Sequence, residues 1–232
     1  MNERKLSVIM PVYNAAALLP ETLSCLYAQT FLTAFPDAME ILAVNDASTD
    51  ESLRVLKEAE AAHPALVRVI DLPVNRGPGG ARNAALEEAK GEYIGFMDSD
   101  DTVDPAMYEK LYRAATADGG YDIADGGVQD DNAQGVIRHF ISPGLTGPLD
   151  AAGKSLLLSD VGYLWSRIYR RRLLNDPLIR FREGVVSEDL DFLSEVIARA
   201  ASVTAVDDVL YRYHDIPESA SKNPVSAACP AL

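Results

Sequence analysis

The chain has 232 residues, 48% of them hydrophobic and 24% charged, which suits one sizeable folded domain and excludes a disordered chain. Its formal net charge of −14 argues against a nucleic-acid binder, which needs a basic face, but leaves room for a nucleotide held through a divalent cation. Two cysteines, Cys25 and Cys229, lack metal-ligand spacing and make no disulfide framework, so a reducing cytoplasm is expected.

The run LSVIMPVYN at 6–14 is almost continuously apolar and ends in turn residues, as expected of a strand buried on both faces. It is short and broken by Pro11, and no cleavage pattern follows, so a signal peptide is not expected. Leu19, Leu23, Leu26 and Tyr27 mark one face of a helix. MEILAVND at 39–46 is a second buried strand. Ser48 and Glu51 then have capping-box spacing ahead of a helix running to about Ala62. LVRVIDL at 66–72 is a third strand, followed by the loop DLPVNRGPGGARN at 71–83 and a helix over about 78–90. Gly91 stands where a helix often needs a left-handed residue. EYIGFMD at 92–98 is a fourth strand, and Asp104 with Pro105 opens a helix that Gly119-Gly120 stops.

This β-α-β-α-β-α-β-α alternation predicts an α/β fold with a mostly parallel central sheet and helices on both faces. Beyond it the pattern is less regular. Residues 121–148 suit short strands and loops, 149–159 a helix, and 165–174 an apolar and basic segment. Leu190, Leu193, Val196, Ile197 and Ala200 mark a helix with Glu188, Asp189 and Asp191 in its first turn, and 203–213 suits one or two strands. The last ten residues suit a frayed tail. No stretch of about 18 apolar residues occurs, so no membrane-spanning helix is expected.

In open α/β sheets ligands bind beyond the carboxyl ends of the strands. Four such ends carry polar residues here: Tyr13 and Asn14, Asn45 and Asp46, the 73–80 loop, and Asp98 to Asp101. Asp98 and Asp100 can hold a divalent cation with open positions for phosphate oxygens, although an isolated DSDD is more often a polar turn. Asp46 can accept from a ribose or a base, or belong to a turn feeding Ser48. RGPGGARN fits neither the dinucleotide fingerprint nor the Walker loop. Its glycines let the backbone approach a ligand and Arg82 can meet a phosphate, or the stretch is only a strand-to-helix connection. In SEDLDF at 187–192 the acids favour a helix start and can also supply a general base. WSRIYRRR at 165–172 is a solvated basic face or an anion clamp. Among three scattered histidines only His214, after an aromatic run, is a site candidate.

Taken together these stretches resemble the family 2 glycosyltransferases, inverting enzymes of the GT-A (Rossmann-like) fold. The resemblance runs over SVIMPVYNAAALLPETLSCLYAQTF, VNDASTDESL, NRGPGGARNAAL and GEYIGFMDSDD, and more loosely over WSRIYRRRLL, EGVVSEDLDF and YRYHDIPESAS. It implies a single GT-A domain over 1–232, with a nucleotide-sugar half at 1–104, a smaller irregular acceptor half at 105–220 and a tail at 221–232. It implies that Pro11, Tyr13 and Asn14 line the nucleoside pocket, that Asp46 contacts the base, and that Arg82 lies near the nucleotide. Asp98 and Asp100 become a DxD motif for Mg²⁺ or Mn²⁺, with Asp98 also on the nucleotide side and Asp100 in direct metal contact. Asp189 becomes the catalytic base. The family usually has two aspartates where this chain has Asn45-Asp46, and Trp-Asn-Lys where it has Trp165-Ser-Arg167, a departure that bears on donor choice.

The activity so implied moves a sugar from a nucleotide-diphosphate sugar, a UDP-sugar first, to a hydroxyl of a glycan or lipid-linked acceptor. It belongs to polysaccharide biosynthesis, without nucleic acid, in the cytoplasm or peripherally at the inner membrane face. Two alternatives stay open: a non-catalytic nucleotide-sugar-binding relative, and a sugar nucleotidyltransferase. The second would be expected to carry a glycine-rich basic loop after its first strand, where this chain has PVYNAAALLP.

Overall fold

A computed structural model describes residues 4–130, 135–175 and 177–214. Cys229, the expected tail and the end of the YRYHDIPESAS stretch lie outside the described residues. The first half runs β1 (Leu6–Val12), α1 (Leu19–Tyr27), α2 (Phe31–Ala34), β2 (Met39–Asn45), α3 (Ser52–Ala62), β3 (Val67–Asp71), α4 (Gly77–Glu88) and β4 (Tyr93–Phe96). The second runs β5 (Thr102–Val103), α5 (Met107–Thr116), β6 (Ile123–Asp130), β7 (Val136–Arg138), β8 (Gly147–Pro148), α6 (Ala151–Ser159), β9 (Arg167–Arg170), α7 (Arg171–Asn175), α8 (Glu188–Arg199) and β10 (Ser202–Tyr213).

Among the described residues these strands make one sheet in the order β3-β2-β1-β4-β9-β6-β10-β5, with β7 on β6 and β8 on β10. β3, β2, β1 and β4 are parallel, as are β6 and β10. β9 is antiparallel to both β4 and β6 and joins the two halves. Because β1 and β2 are buried on both faces, their sequences are continuous apolar runs and not alternating ones. Successive residues feed opposite cores. Val8, Met10, Ile41 and Ala43 pack on one side with residues of α1, α2, α3 and α5. Ile9, Leu42 and Val44 pack on the other with residues of α4, α6, α7 and α8. Chain order reverses between β1 and β4, which opens a crevice at their carboxyl ends.

Two local expectations are corrected. Helix α3 begins at Ser52 without a side-chain cap, because the Ser48 hydroxyl accepts the Asn14 N–H at 3.1 Å; there is no capping box. Helix α4 ends at Glu88, and Gly91 has no positive φ. A Cβ there would lie 2.4 Å from Ser7 N and 2.6 Å from Leu6 C, so close approach of β1, not a left-handed turn, requires the glycine. Asp104 precedes α5 without capping it directly: its Oδ1 accepts from Ala106 N at 2.8 Å, and the helix starts at Met107. Helix α5 already ends at Thr116, where Ala117 turns extended (φ −66°, ψ 159°), and Gly119 and Gly120 follow with φ of +90° and +94°.

Candidate active site

At the end of β1, Pro11 is half-buried and the Tyr13 ring is 52% exposed. Asn14 sits at φ 51°, a left-handed conformation that a short polar side chain tolerates through local hydrogen bonds. Its Oδ1 accepts from Thr49 N at 2.7 Å and Asp50 N at 3.3 Å. Ala15 N and Ala16 N donate back to Ser52 Oγ and Asp50 Oδ2 at 2.9 and 3.1 Å. The loops after β1 and β2 therefore form one hydrogen-bonded body.

Beyond β2, the buried Asn45 donates to Asp71 Oδ1 at 2.8 Å and accepts from Ser48 N at 3.3 Å. Asp46 is also buried, and its Oδ1 accepts the Arg76 N–H at 2.7 Å. Burial pushes its carboxyl above the usual range, partly offset by the backbone N–H groups of Arg76 and Gly77.

The RGPGGARN segment faces the stretch leading into α8. Arg76 pairs with Glu183 at 2.5 Å. Asn83 grips the Phe181 backbone both ways, donating to its O and accepting from its N at 2.9 Å each. Buried Arg82 spans two carboxylates, Nη2 to Asp98 Oδ1 and Nη1 to Glu188 Oε1, both at 2.8 Å; its Nε is buried without a partner among the described residues. Burial works against the Arg82 charge, but the Asp98 and Glu188 carboxylates outweigh it and its pKa is raised. Gly79 gives the contact room, since a Cβ there would lie 3.0 Å from Glu188 Cγ.

After β4, Asp98, Asp100 and Asp101 crowd together. Burial, then the Asp98 charge, pushes the Asp100 carboxyl up to about 6. Asp101 is raised further, first by burial and then by Asp98 and Asp100. Its carboxylate accepts from Tyr211 OH at 2.8 Å and His214 N at 3.0 Å, so it anchors β10. A hollow of about 190 Å³ is lined by Glu21, Thr22, Asp100, Asp101 and His214 among others, and the His214 Nε2 lies 2.8 Å from Thr102 Oγ1. Among the described residues no group of three or more His, Cys, Asp or Glu is set to hold a metal. Asp98 and Asp100 fit a hard cation such as Mg²⁺ or Mn²⁺ that completes its shell with phosphate and water oxygens.

Asp189 is half-buried in the first turn of α8, whose N-cap Ser187 is left-handed at φ 61° and makes no side-chain cap. The basic segment is a correction. Arg167 is 1% exposed and paired with buried Asp125 at 3.1 Å, Ser166 donates to the same carboxylate at 2.7 Å, and Arg171 donates to Gly91 O. WSRIYRRR is therefore neither a solvated face throughout nor an anion clamp; its first half is core.

The profile described as Glycosyl transferase family 2 matches residues 7–175. The chain belongs to glycosyl transferase family 2. An Escherichia coli member described as an uncharacterized glycosyltransferase, YibD, is 30% identical, over 90% of this chain and 61% of its own. The poly(ribitol-phosphate) β-glucosyltransferase of Bacillus spizizenii is 31% identical, over 90% of this chain and 32% of its own. The crystal structure of Staphylococcus aureus TarS 1-349 with UDP-GlcNAc superposes with a TM-score of 0.74 at 27% identity, covering 93% of this chain and 60% of that one. The fold is GT-A, and the chain spans about three fifths or less of the length of these relatives.

In this family 2 domain the four strand ends do converge. Asn14 meets the 48–50 turn, Asp46 meets Arg76, and Arg82 meets Asp98. Asn45 and the Ser166-Arg167 pair, the two departures from family pattern, are spent on structural partners. Glu183, Asn83 and Tyr211 carry no separate signal in the sequence, and Glu188 carries only that of an acidic helix start.

Proposed function

We propose that this domain performs inverting sugar transfer from a UDP-sugar, such as UDP-GlcNAc, to a hydroxyl of a glycan, polyol-phosphate or lipid-linked acceptor. One observation carries it: the Arg82 guanidinium joins Asp98, just after β4, to Glu188 in the first turn of the helix that bears Asp189. In this reading the donor and base sides meet at one carboxyl edge of the sheet. The UDP-GlcNAc complex of TarS supports the donor class, and the poly(ribitol-phosphate) β-glucosyltransferase relative supports a polyhydroxyl acceptor.

In this mechanism Pro11, the exposed Tyr13 ring and Asn14 border the nucleoside, and Asp46 accepts from the base. Arg82 lies near the nucleotide and orients Asp98. Asp98 and Asp100 would hold Mg²⁺ or Mn²⁺, which when bound neutralises charge on the departing diphosphate. Asp189 accepts the acceptor hydroxyl's proton as that oxygen attacks the anomeric carbon from the face opposite the diphosphate. The C–O bond to the diphosphate breaks as the new bond forms, and configuration inverts. Work at the cytoplasmic side, free or peripherally at a membrane, fits this chemistry; no helix among the described residues is long and apolar enough to cross a membrane.

The test is Asp189→Asn, read as UDP release from UDP-GlcNAc with and without acceptor. Turnover should fall about 10²-fold or more while UDP affinity stays within about twofold. Loss of both together would remove Asp189 from the base role.

A further inference from the structure

We propose that Glu188 is a positioning residue for the transfer: gripped by Arg82, it sets the first turn of α8 and so aims Asp189. This rests on Asp189 being the base. The first turn of α8 has no side-chain cap, since Ser187 makes none and its backbone is left-handed; its local ion pair, Arg182 with Asp191 at 3.1 Å, is exposed. Further anchors come from α4 and the loop before it. Arg76 holds Glu183, Asn83 holds the Phe181 backbone in both directions, and Arg82 holds Glu188. Behind them Phe181 stacks on Phe192 of α8, ring centroids 4.0 Å apart and planes 4° apart.

Among these, the Arg82 contact reaches the residue next to the base. The Glu188 side chain is 12% exposed and the Arg82 side chain 6%, so water competes little for the pair. The guanidinium is a rigid planar fork. One Nη takes Glu188 and the other takes Asp98, which fixes the base-bearing turn relative to the carboxylate on the donor side. Gly79 lets the two elements approach this closely, because any side chain there would press on Glu188 Cγ. Glu188 itself is spent on Arg82, leaving the next carboxylate, Asp189, for proton transfer. The sequence SEDLDF shows two adjacent acids; the contact divides their work into holding and reacting.

The test compares Glu188→Ala and Glu188→Gln with the parent chain, measuring UDP release from the UDP-sugar, its pH profile, UDP affinity and melting temperature. The Ala variant should lose about 10–100-fold in kcat, the scale expected when a reacting group is misplaced by about 1 Å, with donor KM within about threefold. The Gln variant keeps an oxygen acceptor for Arg82 Nη1 and should recover most of kcat, with the acid limb of the pH profile unchanged because Asp189 remains the reacting group. Unchanged kcat in soluble Glu188→Ala, or a fall in melting temperature alone, would overturn the proposal. So would a Gln variant as impaired as Ala that has lost the acid limb, since Glu188 would then be reacting itself. If Ala does not fold, the Gln profile decides by itself. A parent chain that releases no UDP would instead sink the functional proposal and this inference with it, a result distinct from an active parent with indifferent Glu188 variants.

Discussion

Asp46 is a buried carboxylate whose charge costs the fold stability. It accepts the Arg76 N–H, but burial raises its pKa above the ordinary value. The folded chain therefore binds this proton more tightly than the unfolded chain. That contribution is full below the unfolded pKa and is lost as pH rises through the raised folded one. Asp46→Asn keeps an oxygen for Arg76 and removes the loss, so its melting temperature at pH 7 should equal or exceed the parent's, with the advantage gone by about pH 3. UDP affinity should fall about tenfold, the scale of a charged hydrogen bond. Melts across pH together with UDP titration check both, and a variant less stable than the parent at pH 7 would contradict the account. The same residue shows what sequence could convey. The strand ends at Asp46, Asp98 and Asp100 were legible because apolar runs stop there. That Arg82 would be occupied by two carboxylates was not, since Glu188 lies 106 positions away.

At the scale of elements, the apolar runs located β1 to β4, and helical periodicity located α1, α5 and α8, because burial dictates those patterns. Caps and breakers were legible only where the cause is local. Gly119 and Gly120 mark the end of α5 to within a few residues, their positive φ turning the chain just past the helix. Ser48 mimicked a cap but serves Asn14, 34 residues earlier. Gly91 looked like a helix terminator but makes room for the backbone of β1. Gly91→Ala should accordingly cost about 1–3 kcal/mol, as overpacking does, because the obstructing atoms are backbone. Denaturant midpoints check this, and a loss below about 0.5 kcal/mol would return Gly91 to the role of a plain turn residue.

For the whole molecule, β9 is the strand that makes two halves into one sheet, and its Arg167 closes a fully buried cluster with Asp125 of β6. That carboxylate also accepts from Ser166 Oγ and from Ile141 N at 3.0 Å. Asp125→Ala leaves the Arg167 charge buried and unpaired and should cost about 3–5 kcal/mol, seen as a lower midpoint of chemical unfolding; a loss under about 1 kcal/mol would contradict the cluster's role. The basic run in the sequence hid this, because burial of an arginine is decided by a partner 42 residues away.

The central claim is a metal-dependent nucleotide-sugar site at the carboxyl edge of β1, β2 and β4. The most direct measurement is thermal stability with UDP, GDP, CDP and dTDP, each with Mn²⁺ and with EDTA. A ligand that binds only the folded chain stabilises it by about 2.7 kcal/mol at a hundredfold excess over its dissociation constant. The account predicts a shift for UDP with Mn²⁺ that EDTA or Asp100→Ala largely removes. No shift with any nucleotide, or one indifferent to metal, would contradict it.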